Sequence, residues 1–249
     1  MILMFGDVHG KFNHVLRVVD EHRPAAIILL GDIEAEKPLE VILERILDKT
    51  AAWWIPGNHD TDNQANYDNL FGSKLADRNL HGRVVEIDGV RVAGLGGIFR
   101  EEVWMPDPPT ASAYYESYAE YERKSEPGRI HSAQQRRATA KNPEKDVIAR
   151  GKLLKHRSTI FYKDWFDLYG RPADILVTHE APSCHRHGFS VIDDLARSMH
   201  VKFAFHGHHH EHHNYQPKWK ELGFQAYGVG FRAVVDQYGG MILAGDYEK

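Results

Sequence analysis

Three short apolar stretches near the start of the chain each end in glycine or proline and are followed by polar residues. Residues 1–5, 25–30 and 51–55 are almost wholly apolar, which is typical of strands buried on both faces of a parallel sheet. Residues 11–22 and 38–49 place apolar side chains at helical spacing. This alternation of strand and helix predicts an α/β fold with a parallel sheet.

The pattern changes after the third strand. Residues 83–87 and 90–93 flank Asp88 and Gly89, and this pair suits the type I′ turn of a β-hairpin. From about residue 100 to 165 the strand pattern stops, and we predict a mostly helical insertion there. The α/β pattern then resumes, with a helix predicted over 191–199. The remaining predicted strands are 173–177, 202–205, 224–227, 232–235 and 241–244.

The composition restricts the class of protein but does not indicate a function. With 249 residues, 42% of them hydrophobic and 27% charged, the chain reads as one ordinary globular domain over 1–249 that contains the insertion. Its single cysteine, Cys184, excludes an internal disulfide and a cysteine-rich zinc site. The start of the chain lacks a signal-peptide pattern, and no run of about 18 apolar residues exists. We therefore expect a cytoplasmic protein without membrane association, and no obligate protein partner is evident.

Charge is distributed unevenly along the chain. Residues 123–163 contain twelve Lys or Arg against three acidic residues, a local charge of +9. Because the whole chain carries −4, the remainder carries −13. Two interpretations stay open: the insertion is a solvated helical face, or it is a cap that draws an anionic substrate towards the site.

Polar residues that can bind metals follow five of the predicted strands, at the point where each strand ends. The carboxyl ends of parallel strands meet at one edge of a sheet, where ligands bind in open α/β folds. Asp7 and His9, two residues apart, would point to the same side of an extended chain. We therefore expect the following side chains to converge on one crevice: Asp7, His9, Asp32, Asn58, His59, Asp60, His179, His208 and His210.

Such a crowd of polar groups predicts a metal site. Carboxylates and imidazoles gathered in one place need compensation, and metal ions supply it. One ion takes about four ligands, so this set is sufficient for two ions if one carboxylate is shared. Two ions about 3.5–4 Å apart suit in-line displacement at phosphorus.

Each residue also has an ordinary structural alternative. Asp7 and Asp32 could be helix N-caps, Asn58 and Asp60 could be turn residues, and His179 could be a loop histidine. Each alternative is reasonable for a single residue. The joint occurrence of all these residues at strand ends favours a metal site.

Histidine is unusually frequent near the C-terminal end. Ten of the 17 histidines lie between residues 179 and 213. Metal storage by this tract is an alternative, but it leaves the aspartates at the strand ends without a role. Alternation turns His209 away from His208 and His210, so we predict it to be a bystander, and we leave His206 out because it ends a strand. Four others are expected at the rim or surface: His185, His187, His212 and His213.

Taken together, the motifs resemble those of the calcineurin-like metallophosphoesterase family. The matching pieces, in the family's order, are Asp7-x-His9, Gly31-Asp32, Gly57 to Asp60, the lone His179, and Gly207 to His210. The resemblance covers about residues 1–97 and 173–246, and it does not cover the basic insertion. It implies a four-layer αββα sandwich, in which two packed mixed β-sheets are flanked by helices.

The sequence departs from the Ser/Thr protein phosphatase branch of that family. Gly31-Asp32 is followed by Ile-Glu-Ala-Glu instead of Asp-Arg-Gly, and the third motif ends in Asp60 instead of Glu. The general phosphoesterase branch is therefore the better match.

The resemblance also implies roles for the residues. The ligands of the first ion would be Asp7, His9, Asp32 and His210. The ligands of the second ion would be Asp32, Asn58, His179 and His208. A hydroxide between the ions would attack phosphorus, His59 would protonate the leaving oxygen, and Asp60 would orient His59. Manganese is expected first, with iron, zinc, nickel or magnesium as alternatives.

These roles lead to a metal-dependent phosphatase or phosphodiesterase acting on an anionic phosphoester. A nuclease with the same chemistry is one alternative, in which the basic insertion binds nucleic-acid backbone. A catalytically silent scaffold is another, but such a scaffold is expected to lack a ligand or His59, and this sequence retains all of them.

Overall fold

The structure is a computed structural model, and it describes residues 1–106, 112–135 and 143–246. Within these residues the chain forms two β-sheets and a set of mostly short helices. The strands are β1 Ile2–Phe5, β2 Ala26–Leu29, β3 Ala51–Trp54, β4 Arg83–Ile87, β5 Val90–Leu95, β6 Ile175–Thr178, β7 Phe203–His206, β8 His213–Asn214, β9 Gln225–Gly228, β10 Val234–Asp236 and β11 Met241–Leu243. The helices are α1 Asn13–His22, α2 Leu39–Ile42, α3 Gln64–Phe71, α4 Tyr118–Lys124, α5 Glu126–Gln135, α6 Pro143–Lys155, α7 Tyr162–Leu168, α8 Ser190–Ser198 and α9 Trp219–Leu222.

Both sheets are mixed. The first has the order β11-β10-β1-β2-β3, and the second has the order β4-β5-β6-β7-β9-β8. In the first sheet β1, β2 and β3 run parallel, and β10 joins β1 in antiparallel orientation. In the second sheet β5, β6, β7 and β9 run parallel. Each sheet therefore has a block of parallel strands whose carboxyl ends share one edge.

Alternation along β1 shows how the layers are built. Ile2 and Met4 belong to the apolar core that also contains Val177 and Phe205 of the second sheet. The intervening Leu3 and Phe5 belong to a different core, which includes the inward face of α1. Because successive side chains in a strand point to opposite faces, one strand contributes to both layers. The two sheets thus pack face to face, with α1 on the outer face of the first.

The outer face of the second sheet is covered by α8 and by the insertion. Leu176 of β6 packs in one core with Leu195 of α8 and with three buried insertion residues, Tyr121, Leu153 and Phe161. The predicted fold class, two packed mixed sheets flanked by helices, is confirmed.

The predicted β4–β5 hairpin is present. Its register pairs Val85 with Val92 and Ile87 with Val90. Asp88 and Gly89 have φ of 51° and 75°, as the two central residues of a type I′ turn require. The Asp88 carboxylate also accepts a hydrogen bond from the N-terminal amine (2.9 Å).

Some elements differ from the sequence-based expectation. The helix predicted over 38–49 is α2 followed by a 3-10 turn at Glu44–Ile46. The predicted apolar face is still buried, because Leu39, Leu43 and Ile46 are all fully buried. Helix α3 was not predicted, since it has a weak apolar stripe; it begins after Asn63, whose side chain accepts the Asn66 N–H (2.9 Å). Strand β8 has two residues, which is too short to leave a periodic signal.

The segment predicted as a helical insertion carries α4 to α7 in its described part. Residues 107–111 and 136–142 of that prediction lie outside the described residues. In the described parts of the chain, no helix is long and apolar enough to cross a membrane.

Candidate metal centre

The structure brings the predicted ligand residues together at the carboxyl edge of the parallel strands. The first close group is Asp7, His9, Asp32 and His210, whose candidate ligand atoms all lie within 4.8 Å of one another. The second close group is Asp32, His179 and His208, by the same measure. Asp32 is common to both groups, so one buried carboxylate lies between two sets of nitrogen and oxygen donors.

Imidazole nitrogens and carboxylate oxygens face each other in the first group. His9 Nε2 lies 3.1 Å from His210 Nε2, and His210 Nε2 lies 3.3 Å from Asp7 Oδ2. Asp32 Oδ2 is 3.9 Å from His9 Nε2. Asp7 and Asp32 are each 1% exposed. Buried carboxylates beside inward-facing imidazole nitrogens form a donor set that fits a divalent cation.

The second group is built around His179. Its Nε2 lies 3.4 Å from Asp32 Oδ2 and 3.2 Å from Asn58 Oδ1, and its ring centroid is 4.8 Å from that of His208. The structure therefore places Asn58 beside the group. Asn58 contributes an uncharged oxygen at this position.

The outward nitrogens of two rings have their own acceptors. His179 Nδ1 donates to the Leu30 carbonyl (2.8 Å), and His9 Nδ1 is paired with the Glu34 carboxylate. Because Nδ1 of each ring keeps its proton, an ion that displaced the proton from Nε2 would meet an Nε2 lone pair directed into the centre. Glu34 was missed by the sequence reasoning, although its spacing of two residues from Asp32 repeats that of Asp7 and His9.

Electrostatic coupling is strong around Asp32. Burial by itself would raise the pKa of the Asp32 carboxyl, but the charge and hydrogen bond of His179 hold that pKa well below its usual range. Burial likewise opposes the protonation of His179, and the charge of Asp32 outweighs it and raises the His179 pKa to about 10. Burial and the charge of His179 lower the pKa of His208 to about 4. Asp32 thus carries its charge at neutral pH, as a metal ligand must.

Four of the predicted ligands have left-handed backbone conformations. The φ angles are 41° for His9, 45° for Asp32, 71° for His208 and 60° for His210. Non-glycine residues rarely adopt this region, and each such residue costs about 1–3 kcal/mol unless its surroundings hold it. Strain concentrated on these residues is typical of a functional site.

Close approach of the loops depends on Gly57. A Cβ at this position would lie 2.7 Å from Cε1 of His179 and would overlap Asp32. The loops that carry Asp32, Asn58 and His179 can therefore meet because residue 57 has no side chain.

Asp60 does not have the role that the sequence reasoning assigned to it. The Asp60 carboxylate is fully buried, and it accepts the main-chain N–H groups of Ile33 and Glu34 (both 2.8 Å) and of Gly57 (2.7 Å). Burial and the charge of Asp32 raise its pKa to about 7, against these hydrogen bonds. Asp60 therefore ties the loop after β2 to the loop after β3, and it does not orient His59.

The partner of His59 is Asp62 instead. Asp62 Oδ2 lies 2.6 Å from His59 Nδ1 at the rim of the centre, and the His59 side chain is 44% exposed. The His59 ring centroid is 5.6 Å from that of His9. Burial lowers the pKa of His59, but the hydrogen bond with Asp62 and the charge of Asp32 outweigh it, so that pKa is raised. The 3-10 turn at His59–Thr61 turns Asp60 inward and leaves Asp62 beside His59, which a motif alone did not reveal.

The sequence reasoning also did not identify Phe231 as a residue of the site. Its ring centroid lies 5.4 Å from that of His9 and 5.0 Å from that of His210, and the residue is 8% exposed. It forms an apolar wall against the first ligand group.

The histidines that were set aside lie outside both ligand groups. His206 is buried, and its Nε2 lies 3.1 Å from the Tyr215 hydroxyl. His209 stacks on His185 with ring centroids 3.8 Å apart.

Comparison with known proteins agrees with the resemblance that the sequence motifs indicate. The sequence profile of the calcineurin-like phosphoesterase family matches residues 1–212. A Haemophilus influenzae protein described as uncharacterized is 38% identical over 243 residues, which cover 98% of this chain and 96% of that protein.

A solved structure supports the fold. The crystal structure of TT1561 from Thermus thermophilus superposes with a TM-score of 0.52 at 16% identity, and the match covers 94% of this chain and 93% of that one. The sheets, the ligand groups at their shared edge and the profile match over 1–212 agree with one another. The chain belongs to the calcineurin-like phosphoesterase family.

Proposed function

We propose that this protein hydrolyses phosphoesters with two divalent metal ions held at the candidate metal centre. The observation that carries this proposal is the pair of ligand groups that share Asp32. The residues that would hold the first ion are Asp7, His9, Asp32 and His210. The residues that would hold the second ion are Asp32, His179 and His208, with Asn58 beside them.

In the proposed reaction, the ions and the side chains have separate roles. Two ions held by these residues would supply a nucleophilic hydroxide at neutral pH and would stabilise negative charge on the phosphoryl group. His59 donates a proton to the leaving oxygen, because its ring lies at the rim with a raised pKa and is therefore available in the protonated form. Asp62 positions that ring by accepting a hydrogen bond from Nδ1.

The donor set is compatible with several metal ions. Imidazole nitrogens suit zinc, iron and nickel, and carboxylate and amide oxygens suit manganese and magnesium. We propose manganese first, with the others as alternatives.

The charge pattern of the insertion bears on the substrate. Several of its basic side chains already have partners, since Arg150 lies 3.2 Å from Asp146 and Lys155 lies 3.4 Å from Glu102. Arg157 lies over the ring of Tyr118 at 3.7 Å. These contacts account for three of the twelve basic residues of the insertion. We propose a small-molecule or protein phosphoester as the substrate, and a nuclease is the alternative.

Metal reconstitution tests the proposed function. Protein stripped of metal should be inactive, and manganese should restore hydrolysis of a nitrophenyl monoester or a bis-nitrophenyl diester, because the ions supply the nucleophile. Turnover would be measured with manganese, nickel, zinc and magnesium added singly. The ratio of monoester to diester rates assigns the substrate class.

Controls separate the outcomes of this assay. Single-stranded DNA is included at two salt concentrations, because cleavage that falls steeply with salt would support the nuclease. An absence of both turnover and metal binding with every ion tested would contradict the proposal.

The assignment of His59 and Asp62 makes a separate prediction. His59→Ala should lower kcat by about 10²-fold for an alkyl phosphoester and less for the nitrophenyl ester, whose leaving group needs little protonation. Asp62→Asn should lower kcat by about 10-fold with the same dependence on the leaving group, and should leave KM nearly unchanged.

Asp68→Asn is the matched control, since Asp68 is exposed on α3 and its carboxylate accepts a hydrogen bond from Gln64 (2.8 Å). Equal effects on both leaving groups would argue against proton donation through His59. An Asp62→Asn enzyme with the parent's kcat would remove Asp62 from the mechanism.

A further inference from the structure

Five histidines form a second cluster next to the candidate metal centre. Their rings come from three segments: the loop between β6 and α8, the end of β7, and the stretch that runs from the loop before β8 to the first residue of β8. The members of this outer histidine cluster are His185, His187, His206, His209 and His213. Around His185, ring-centroid distances are 3.8 Å to His209, and 5.7 Å to both His187 and His213.

Two histidines of this cluster and the neighbouring Glu211 bring candidate metal-ligand atoms close together. The candidate ligand atoms of His185, Glu211 and His213 all lie within 4.8 Å of one another. His213 Nε2 lies 2.9 Å from Glu211 Oε2. His185 is 6% exposed, whereas the side chains of His213 and Glu211 are 36% and 56% exposed. One buried and two accessible ligands leave an open side from which an ion can enter.

We propose that His185, Glu211 and His213 form a third metal site, separate from the centre that contains Asp32. Two imidazoles and one carboxylate are a donor set suited to zinc or a similar first-row divalent ion, with the fourth position open to water. None of these three residues belongs to the two ligand groups of the other centre.

The position of the proposed third site would let an ion there affect the loops of the other centre. Glu211 and His213 lie on the same short stretch of chain as His208 and His210, and His185 lies on the loop after His179. An ion at the third site would cross-link these two loops. It would thereby hold in place the loop whose left-handed residues, His208 and His210, complete the other centre.

Zinc stoichiometry tests the proposal. Untagged protein, stripped of metal, would be loaded with zinc, passed through gel filtration and analysed for metal content. His185→Ala/His213→Ala should retain one ion fewer per chain than the parent. The control His22→Ala/His200→Asn removes two exposed histidines elsewhere and should keep the parent's content.

A second measurement does not depend on the folding of a variant. Crystals of the unmodified protein grown with zinc should show an anomalous scattering peak between His185, Glu211 and His213. Asp32→Ala distinguishes the two metal sites: it should lose ions from its own centre and keep the ion at the third site. Equal zinc content in the parent and in His185→Ala/His213→Ala, or an anomalous map without a peak at the cluster, would overturn the proposal.

Discussion

Asp32→Ala is expected to lower kcat/KM for metal-dependent phosphoester hydrolysis by at least ~10³-fold, or about 4 kcal/mol in transition-state stabilisation. The Asp32 carboxylate belongs to both candidate ligand groups, so its removal should weaken both proposed ion sites at once. It also removes the acceptor of the His59 main-chain N–H (2.9 Å) and the negative charge next to His179. Loss of a single peripheral ligand would affect one group alone.

The measurement is kcat/KM with saturating manganese, together with manganese content after gel filtration. Asp48→Ala is a matched control, because Asp48 is exposed and precedes the amino end of β3, at the edge opposite the centre. Its kcat/KM should stay near that of the parent. An Asp32→Ala protein that binds two manganese ions and keeps more than about a tenth of the parent's kcat/KM would refute the role of a shared ligand.

Asp60→Ala is expected to lower the free energy of unfolding by roughly 3–5 kcal/mol. The buried Asp60 carboxylate accepts three main-chain N–H groups, from Ile33, Glu34 and Gly57. Alanine would leave these donors buried without an acceptor in the loops that hold Asp32 and Asn58. Because the loops lose their common anchor, metal affinity should fall as well.

Urea unfolding of metal-free protein measures this effect, since bound ions would add their own stabilisation of the folded state. Asp62→Ala provides the comparison two residues away: the Asp62 side chain is 58% exposed, so its removal should change the unfolding free energy by less than about 0.5 kcal/mol. The two substitutions should therefore have different effects: loss of the Asp60 carboxylate should lower stability, and loss of the Asp62 carboxylate should lower turnover. A loss of under about 1 kcal/mol for Asp60→Ala would contradict the anchoring role.

The two predictions share a physical basis. Asp32 and Glu34 have φ of 45° and 47°, and conformations of this kind persist only when the surroundings over-determine them. The hydrogen bonds to Asp60 and the close approach of Gly57 supply that constraint. The centre is therefore held together largely by main-chain groups that lie next to the ligands in the sequence.

The sequence alone was sufficient to predict the strands of the first sheet, the hairpin at Asp88 and the residues gathered at the strand ends. These features have local causes. A strand buried on both faces needs a continuous apolar run, and an Asp-Gly pair favours a type I′ turn wherever it occurs. The glycines before Asp7, Asp32 and His208 likewise mark the points where strands end and close approach begins.

Only the tertiary structure decided how the centre is completed. The spacing of Asp60 and Asp62 from His59 did not reveal that a 3-10 turn directs the first carboxylate inward and leaves the second beside the ring. The pairing of His9 with Glu34 depends on loops from two different strands.

The sequence predicted that His208 and His210 lie with the centre and that His209 does not, but it did not predict the outer histidine cluster. His208 and His210 lie with the centre, while His209 and His213 lie near His185 in the outer histidine cluster, although all four are close neighbours along the chain. Left-handed conformations at His208 and His210 interrupt the simple alternation of an extended strand. The packing of one sheet on the other then brings distant loops into contact, and that contact determines which side chains meet.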